Sequence, residues 1–278
     1  MVGAKRWIGL GFISFQPSEV AKVGLIVFYA SLLTKNKERL GEIWGGFFYP
    51  IMFLLPIIAI LVIVQNHLSA TILIVLIISV MMLMAGSRLR YFLTFGAAGA
   101  TAGISALFLY AKITGKGAFR ITRLITFLDP FAYIQDEGWQ VVQSLYAIGS
   151  GGLFGVGLGN STQKYLYIPE AHNDFIFSII AEELGFLGCA FVIILFALFI
   201  WRGIIIAMKA PDMFGSLIAI GITAMVGLQA IINIAVVTSS MPNTGMPLPF
   251  FSYGGTSLLI LMASVGVLLN ISKASKNK

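Results

Sequence analysis

Charge is scarce in this chain. Asp, Glu, Lys and Arg make up 10% of its 278 residues and hydrophobic residues 58%, whereas ordinary soluble domains are about a quarter charged. That balance excludes a soluble globular or disordered protein. The single cysteine, Cys189, excludes an intrachain disulfide and leaves the redox compartment unreadable. The only two histidines, His67 and His172, are too isolated to define a metal site, and interfacial hydrogen bonding is expected of them. No internal repeat, low-complexity tract or soluble domain boundary is visible. The net charge of +7 has no basic soluble segment to carry it, so a nucleic-acid partner is not expected.

What the chain has instead is apolar runs of roughly 18 to 25 residues, the length needed to cross about 30 Å of hydrocarbon as a helix. Spans are predicted at Pro17–Leu33, Phe47–Val64, Leu68–Gly86, Tyr91–Ala111, Phe175–Trp201, Phe214–Thr238 and Thr256–Ile271. The expected fold class is all-α, a polytopic membrane helix bundle of about seven transmembrane helices in one domain over residues 1–278. The connections Lys35–Glu42, Ser87–Arg90 and Arg202–Asp212 and the tail from Lys273 are short and hold ten Lys/Arg between them. They mark the cytoplasmic face. The other face then carries the N-terminus, the tip Gln65–His67, a long extracytoplasmic loop from Lys112 to His172, and the segment Met241–Gly255. Met1 falls outside with no signal sequence before Gly3-Ala4-Lys5-Arg6-Trp7-Ile8, so helices upstream of it are expected.

Polar residues placed where lipid would reject them are functional candidates. Asp174 closes the loop at the lip of the span that starts at Phe175. Its bland role is an N-cap shared with Asn173. Its functional role is an ionised carboxylate that takes a proton only from a substrate positioned against it. Glu182 and Glu183 lie eight and nine residues on, about 12 to 14 Å deeper along a helix axis. At most one of them shares the Asp174 face, and the other is expected to bond a neighbouring helix. Glu19 and Lys22, at i and i+3, project from one helix face either as a self-neutralising pair or toward a water-filled cavity.

Two irregular segments complete the inventory. The cluster Gly149-Ser150-Gly151-Gly152 to Gly159-Asn160 lacks the strand, the Lys-Ser/Thr pair and the spacing of a nucleotide loop, so tight turns or close backbone approach in an outer loop are expected. The stretch Met241-Pro242 to Gly254-Gly255 has too many prolines and glycines for a plain helix. Apolar, non-helical backbone beside a membrane must be buried in protein or line a cavity, so this stretch reads as a re-entrant segment walling the Asp174 cavity.

These pieces, in order, resemble the SEDS family of bacterial shape, elongation, division and sporulation proteins. The resemblance rests on Gln16-Pro17-Ser18-Glu19, Gly138-Trp139-Gln140, Gln143-Ser144-Leu145, Gly157-Leu158-Gly159-Asn160-Ser161 and Gln163-Lys164. It continues through Pro169-Glu170 to Phe177, Glu182-Glu183-Leu184-Gly185, and Pro247-Leu248-Pro249-Phe250 to Gly255. The short extracytoplasmic tips and the His172-Asn173-Asp174-Phe175 wording are closer to the division and sporulation branch than to the elongation branch. Relatives have about ten transmembrane helices, so the resemblance implies that about three N-terminal helices of the family precede this chain. Gln65-Asn66-His67 departs from the proline and acidic residue that many relatives carry there.

The resemblance implies a peptidoglycan glycosyltransferase acting on lipid II at the extracytoplasmic face of the bacterial cytoplasmic membrane. Asp174 matches the family's essential aspartate and is the expected catalytic base. Glu19 and Lys22 match its polar pair; Arg6, Arg120, Arg123 and Lys164 could stabilise the leaving diphosphate, as could a divalent cation such as Mg or Mn. Ser252 could hydrogen-bond the head group, with turn stabilisation as the competing role. The implied partners are a class B penicillin-binding transpeptidase and other division or sporulation membrane proteins. The rival function is a lipid II flippase, a transporter in which Glu19, Lys22, Glu182 and Glu183 line a head-group path.

The topology has a direct test. Single cysteines at Lys37 and Lys116 should react with a membrane-impermeant reagent from opposite faces of the membrane, and labelling of both from one side would refute the assignment.

Overall fold

The computed structural model describes residues 8–10, 13–65, 67–114, 126–134, 138–163 and 172–275. A short antiparallel hairpin comes first, β1 (Ile8–Leu10) against β2 (Ile13–Phe15), with Ile8 opposite Phe15 and Leu10 opposite Ile13. Helices follow: α1 (Pro17–Lys35), α2 (Trp44–Val64), α3 (Leu68–Ala85) and α4 (Leu89–Thr114). Then come α5 (Trp139–Gly151), α6 (Ile176–Met208), α7 (Met213–Val237) and α8 (Gly255–Ala274). Among the described residues, six helices (α1, α2, α3, α6, α7 and α8) are long and apolar enough to cross a membrane. Helix α4 covers the remaining predicted span with 26 residues, about 39 Å of helix. The chain is therefore a multi-pass membrane protein.

Two compact units divide it. The first comprises residues 1–93, 197–228 and 254–278, the second residues 94–196 and 229–253. In the first unit, α1 starts with Pro17 at its first position, where the missing N–H has no intrahelical use, and buries Ile26, Tyr29, Ala30 and Leu33 along one face. The facing stripe on α3 is Ile74, Ile77, Ile78, Met81 and Met82. Gly221 of α7 closes this packing, since a Cβ there would stand 2.5 Å from Ile26. Small residues at such crossings are how membrane helices pack without a hydrophobic drive between them. The Tyr29 hydroxyl, fully buried, donates to the Pro50 carbonyl at 2.7 Å.

His67 caps α3, its Nδ1 accepting from Ala70 N–H at 3.0 Å. A ring that accepts at Nδ1 carries its proton on Nε2. The Gln16 side chain, 3.0 Å from that Nε2, must therefore present its amide oxygen there. Interfacial hydrogen bonding, as expected for His67, is what it does.

The second unit departs from the sequence expectations. The stretch read as one long loop contains α5, which buries Val141, Val142, Ser144 and Ala147 and donates the Ser144 hydroxyl to Val237 O at 2.8 Å. The glycine cluster makes the close backbone approach expected of it, against α6 nine residues beyond that helix's start, about 14 Å along the axis. There α6 breaks at Gly185, whose φ of 66° and ψ of −164° only glycine adopts readily. The break frees carbonyls and amides, and the glycine loop takes four of them: Val156 and Gly157 N–H donate to Glu182 and Glu183 O at 3.0 and 3.1 Å. Phe186 and Leu187 N–H donate back to Gly152 and Leu153 O at 2.9 and 3.2 Å. Helix α6 also runs past the predicted end at Trp201 to Met208, because Ile204, Ile205, Ile206 and Ala207 extend its apolar face.

Gly155 is the keystone of this exchange, with a φ of 79° and a would-be Cβ 2.1 Å from Glu183 O. Gly155→Ala should destabilise by about 1 to 3 kcal/mol from backbone strain alone, with a comparable addition from overpacking. Gly149→Ala, where a Cβ meets nothing within 4 Å, should be neutral or mildly stabilising. Thermal unfolding of the purified variants in detergent checks both.

Candidate active site

Asp174 sits in the turn 172–175 that leads into α6, half-buried, next to the fully packed Phe175. The backbone that presents it is held at three successive carbonyls. His172 O accepts from Tyr253 N–H at 2.9 Å, Asn173 O from the Ser252 hydroxyl at 2.5 Å, and Asp174 O from Asn233 Nδ2 at 2.8 Å. None of these bonds is available from an ideal helix start, so the proline-rich loop and α7 together fix the direction in which Asp174 leaves the membrane lip.

That loop is shaped by its sequence. Pro242, Pro247 and Pro249 forbid a helix, and Gly245 turns it with a φ of 64°. Phe250 holds a φ of 68°, a strained conformation for an aromatic residue and a mark of functional loops. Leu248 N–H donates to Ser252 Oγ at 2.7 Å, and Ser252 N–H to Leu248 O at 3.0 Å. The expected re-entrant segment is thus an irregular loop whose polar backbone is bonded to the protein around it. Gly245 faces the carboxylate, and a Cβ there would stand 3.2 Å from Asp174 Oδ2. Asn243 holds this corner, accepting from Gly245 N–H at 3.2 Å and donating to Gln140 Oε1 of α5 at 3.0 Å.

The other sequence candidates divide. Ser252 lies beside Asp174, but its single proton goes to Asn173 O and one lone pair to Leu248 N–H, which is turn stabilisation. Glu19 and Lys22 form an ion pair of 2.8 Å in the first unit, and Lys22 is only 4% exposed, so the pair is no solvated surface bridge. Arg6, Arg120, Arg123 and Lys164 lie outside the described residues, as does the Pro169–Ala171 part of the motif. Among the described residues, no group of three or more His, Cys, Asp or Glu side chains gathers as a metal site.

One of the two acids Glu182 and Glu183 is expected to bond a neighbouring helix, and among the described residues Glu182 is not that one. It bonds a loop. The carboxylate, 1% exposed, accepts from the Ser161 hydroxyl, from Thr162 N–H and hydroxyl at 3.0 and 2.9 Å, and from Gln163 N–H at 3.4 Å. Among the described residues, four donors satisfy this buried carboxylate. The sequence reading also missed Gln229 and Asn233, although two side-chain amides at i and i+4 inside an apolar span are the same signal that marked Glu19 and Lys22.

Comparison with known proteins places this geometry. A family model described as cell cycle protein, covering FtsW, RodA and SpoVE, matches residues 1–277. The stage V sporulation protein E of Bacillus subtilis is 42% identical over 274 residues, spanning 99% of this chain and 73% of that protein. A probable peptidoglycan glycosyltransferase FtsW of Geobacter sp. (strain M18) is 43% identical over 270 residues, 97% of this chain and 71% of that one. Among solved structures, one described under structural coordination of polymerization and crosslinking by a peptidoglycan synthase complex superposes with a TM-score of 0.80 at 26% identity, covering 100% of this chain and 76% of that one. The rod shape determining protein RodA of Thermus thermophilus gives a TM-score of 0.65 at 28% identity, covering 98% of this chain and 70% of that one.

Glu182 supplies a test of the loop anchor. Glu182→Leu leaves two hydroxyls and two amides without their acceptor and should lower stability by several kcal/mol, on the basis of about 1 to 3 kcal/mol for each buried group left unpaired. Glu182→Gln keeps one acceptor oxygen and should fall between Leu and the native residue in thermal unfolding. Equal stability of all three would exclude the anchor.

Proposed function

Because this chain belongs to the FtsW, RodA and SpoVE family of cell cycle proteins, we propose that it polymerises glycan strands from lipid II with Asp174 as the general base. Its class of activity is peptidoglycan glycosyltransfer. In the reaction, the 4-hydroxyl of one lipid-linked disaccharide attacks the anomeric carbon of another. The hydroxyl proton passes to the Asp174 carboxylate, the new C–O bond forms, and the bond from the anomeric carbon to the polyprenyl diphosphate breaks. A single displacement of this kind inverts the anomeric centre. One base is what it requires of the protein.

The observation that carries the reading is the three-point hold on the carbonyls of His172, Asn173 and Asp174. A base within hydrogen-bond reach of its proton contributes about 10² to 10⁴-fold, and only when its position is held. The Glu19–Lys22 pair is proposed as a polar contact for the substrate, with Lys22 toward the diphosphate. Arg6, Arg120, Arg123 and Lys164 are proposed as further cationic contacts for that group, and a divalent cation could travel with the diphosphate as part of the substrate. The proposed partner is a crosslinking transpeptidase of the class B penicillin-binding type, in a division or sporulation complex. The flippase alternative loses one of its path residues, since Glu182 is wholly engaged by Ser161, Thr162 and Gln163.

Asp174→Asn decides the matter, because the change keeps size and a capping oxygen. If Asp174 only caps α6, the variant should lose a few tenths to about 1 kcal/mol of stability and polymerise normally. As the general base, its loss should cut lipid II polymerisation about 10² to 10⁴-fold while the protein inserts and associates with its transpeptidase. Gel analysis of glycan products from purified complex and lipid II measures this. Near-normal product would remove Asp174 from the catalytic role.

A further inference from the structure

The direction of Asp174 hangs on one side chain of α7. Asn233 is 1% exposed, and its Nδ2 donates to Asp174 O at 2.8 Å and to Met246 O at 2.6 Å. One amide nitrogen therefore holds two separate backbone segments, the entry to α6 and the proline-rich loop, at a fixed spacing. Both of its hydrogens are used, which determines the amide orientation, since the reversed group would set an oxygen against two carbonyl oxygens. Gln229, one helical turn earlier, repeats the device by donating to Pro247 O at 3.0 Å.

The spacing matters because the residue before Met246 is Gly245, which stands against the Asp174 carboxylate. A change in the Asn233 clamp moves the base and the wall beside it relative to each other. Stability alone does not account for the residue. Its Oδ1 is buried without a hydrogen-bond partner among the described residues, a penalty that an apolar side chain of similar volume would not carry. What asparagine uniquely offers here is two short-reach N–H donors on one atom. Aspartate offers none when ionised, and glutamine would bring them one methylene too far.

We propose that Asn233 is the positioning residue of the general base: it fixes the Asp174 carboxylate against the Gly245–Met246 backbone, and so sets where the acceptor hydroxyl must lie to be deprotonated. This rests on the reading of Asp174 as the base. A reacting group displaced by about 1 Å loses on the order of 10² in rate, so the effect belongs in turnover.

The test uses the chain with its transpeptidase partner and lipid II. Asn233→Asp, the same shape without the donors, should lower kcat about 10²-fold with KM changed less than about threefold. Asn233→Ala, which avoids oxygen–oxygen repulsion and folds more easily, should lower kcat in the same direction. Combined with Asp174→Asn, either change should take nothing further from the residual rate, because residues that act as one unit are not additive. A folded Asn233 variant with normal kcat overturns the proposal. So does a further loss in the double variant, or a loss of turnover that merely tracks the fraction of unfolded protein. Normal polymerisation by Asp174→Asn alone is a different result: it removes the general-base reading and this inference with it.

Discussion

Backbone hydrogen bonding inside a membrane is the constraint on which this architecture turns. Hydrocarbon offers no partner for a free N–H or C=O, so any departure from a helix must be answered by protein. The second unit departs twice. Helix α6 breaks at Gly185, and the glycine loop 152–157 answers with a set of bonds that runs in both directions across the break. The proline-rich loop abandons helix altogether and is answered by Asn233, Gln229, Ser252 and the carbonyls of the Asp174 turn. Each irregular segment is bonded to another element, so neither can be moved without exposing polar backbone.

The polar side chains sort by how completely they are engaged. Glu182 is 1% exposed and surrounded by four donors, so it serves the fold. Ser252 gives its proton to the backbone. Asp174 is held through the carbonyls of its own turn, and the residue is partly exposed. The proposed role of general base calls for both, a held position and access for the substrate.

Much of this was legible in the sequence, and the limits have physical causes. Span positions follow from length and hydropathy, and α1, α3, α7 and α8 fall within a few residues of the predicted ranges. Proline and glycine density announced the irregular loop at 241–255. Helix α5 went unread because its apolar positions Val141, Val142 and Ala147 occur in a segment too short to span, where polar flanks suggested loop. The glycine cluster was read correctly as close approach but without its partner, because nothing in its own residues says which helix it approaches. That information is in Gly185, thirty residues on from Gly155, whose need for a positive φ shows only when the two meet. Gln229 and Asn233 were passed over because uncharged amides stand out less in a span than Glu or Lys, although lipid rejects them for the same reason.

The kink also bears on the electrostatics of Asp174. A helix N-terminus favours a carboxylate through unpaired N–H groups, and that influence is confined to the first turn. Helix α6 keeps its first two turns intact, from Ile176 to the break at Gly185, so the terminus beside Asp174 retains its full effect. What the break changes is direction alone. The break therefore lets the turn that carries Asp174 and the rest of the helix take different directions. The glycine loop that bridges the break helps to set the angle between them, because it bonds Glu182 and Glu183 on one side of Gly185 and Phe186 and Leu187 on the other.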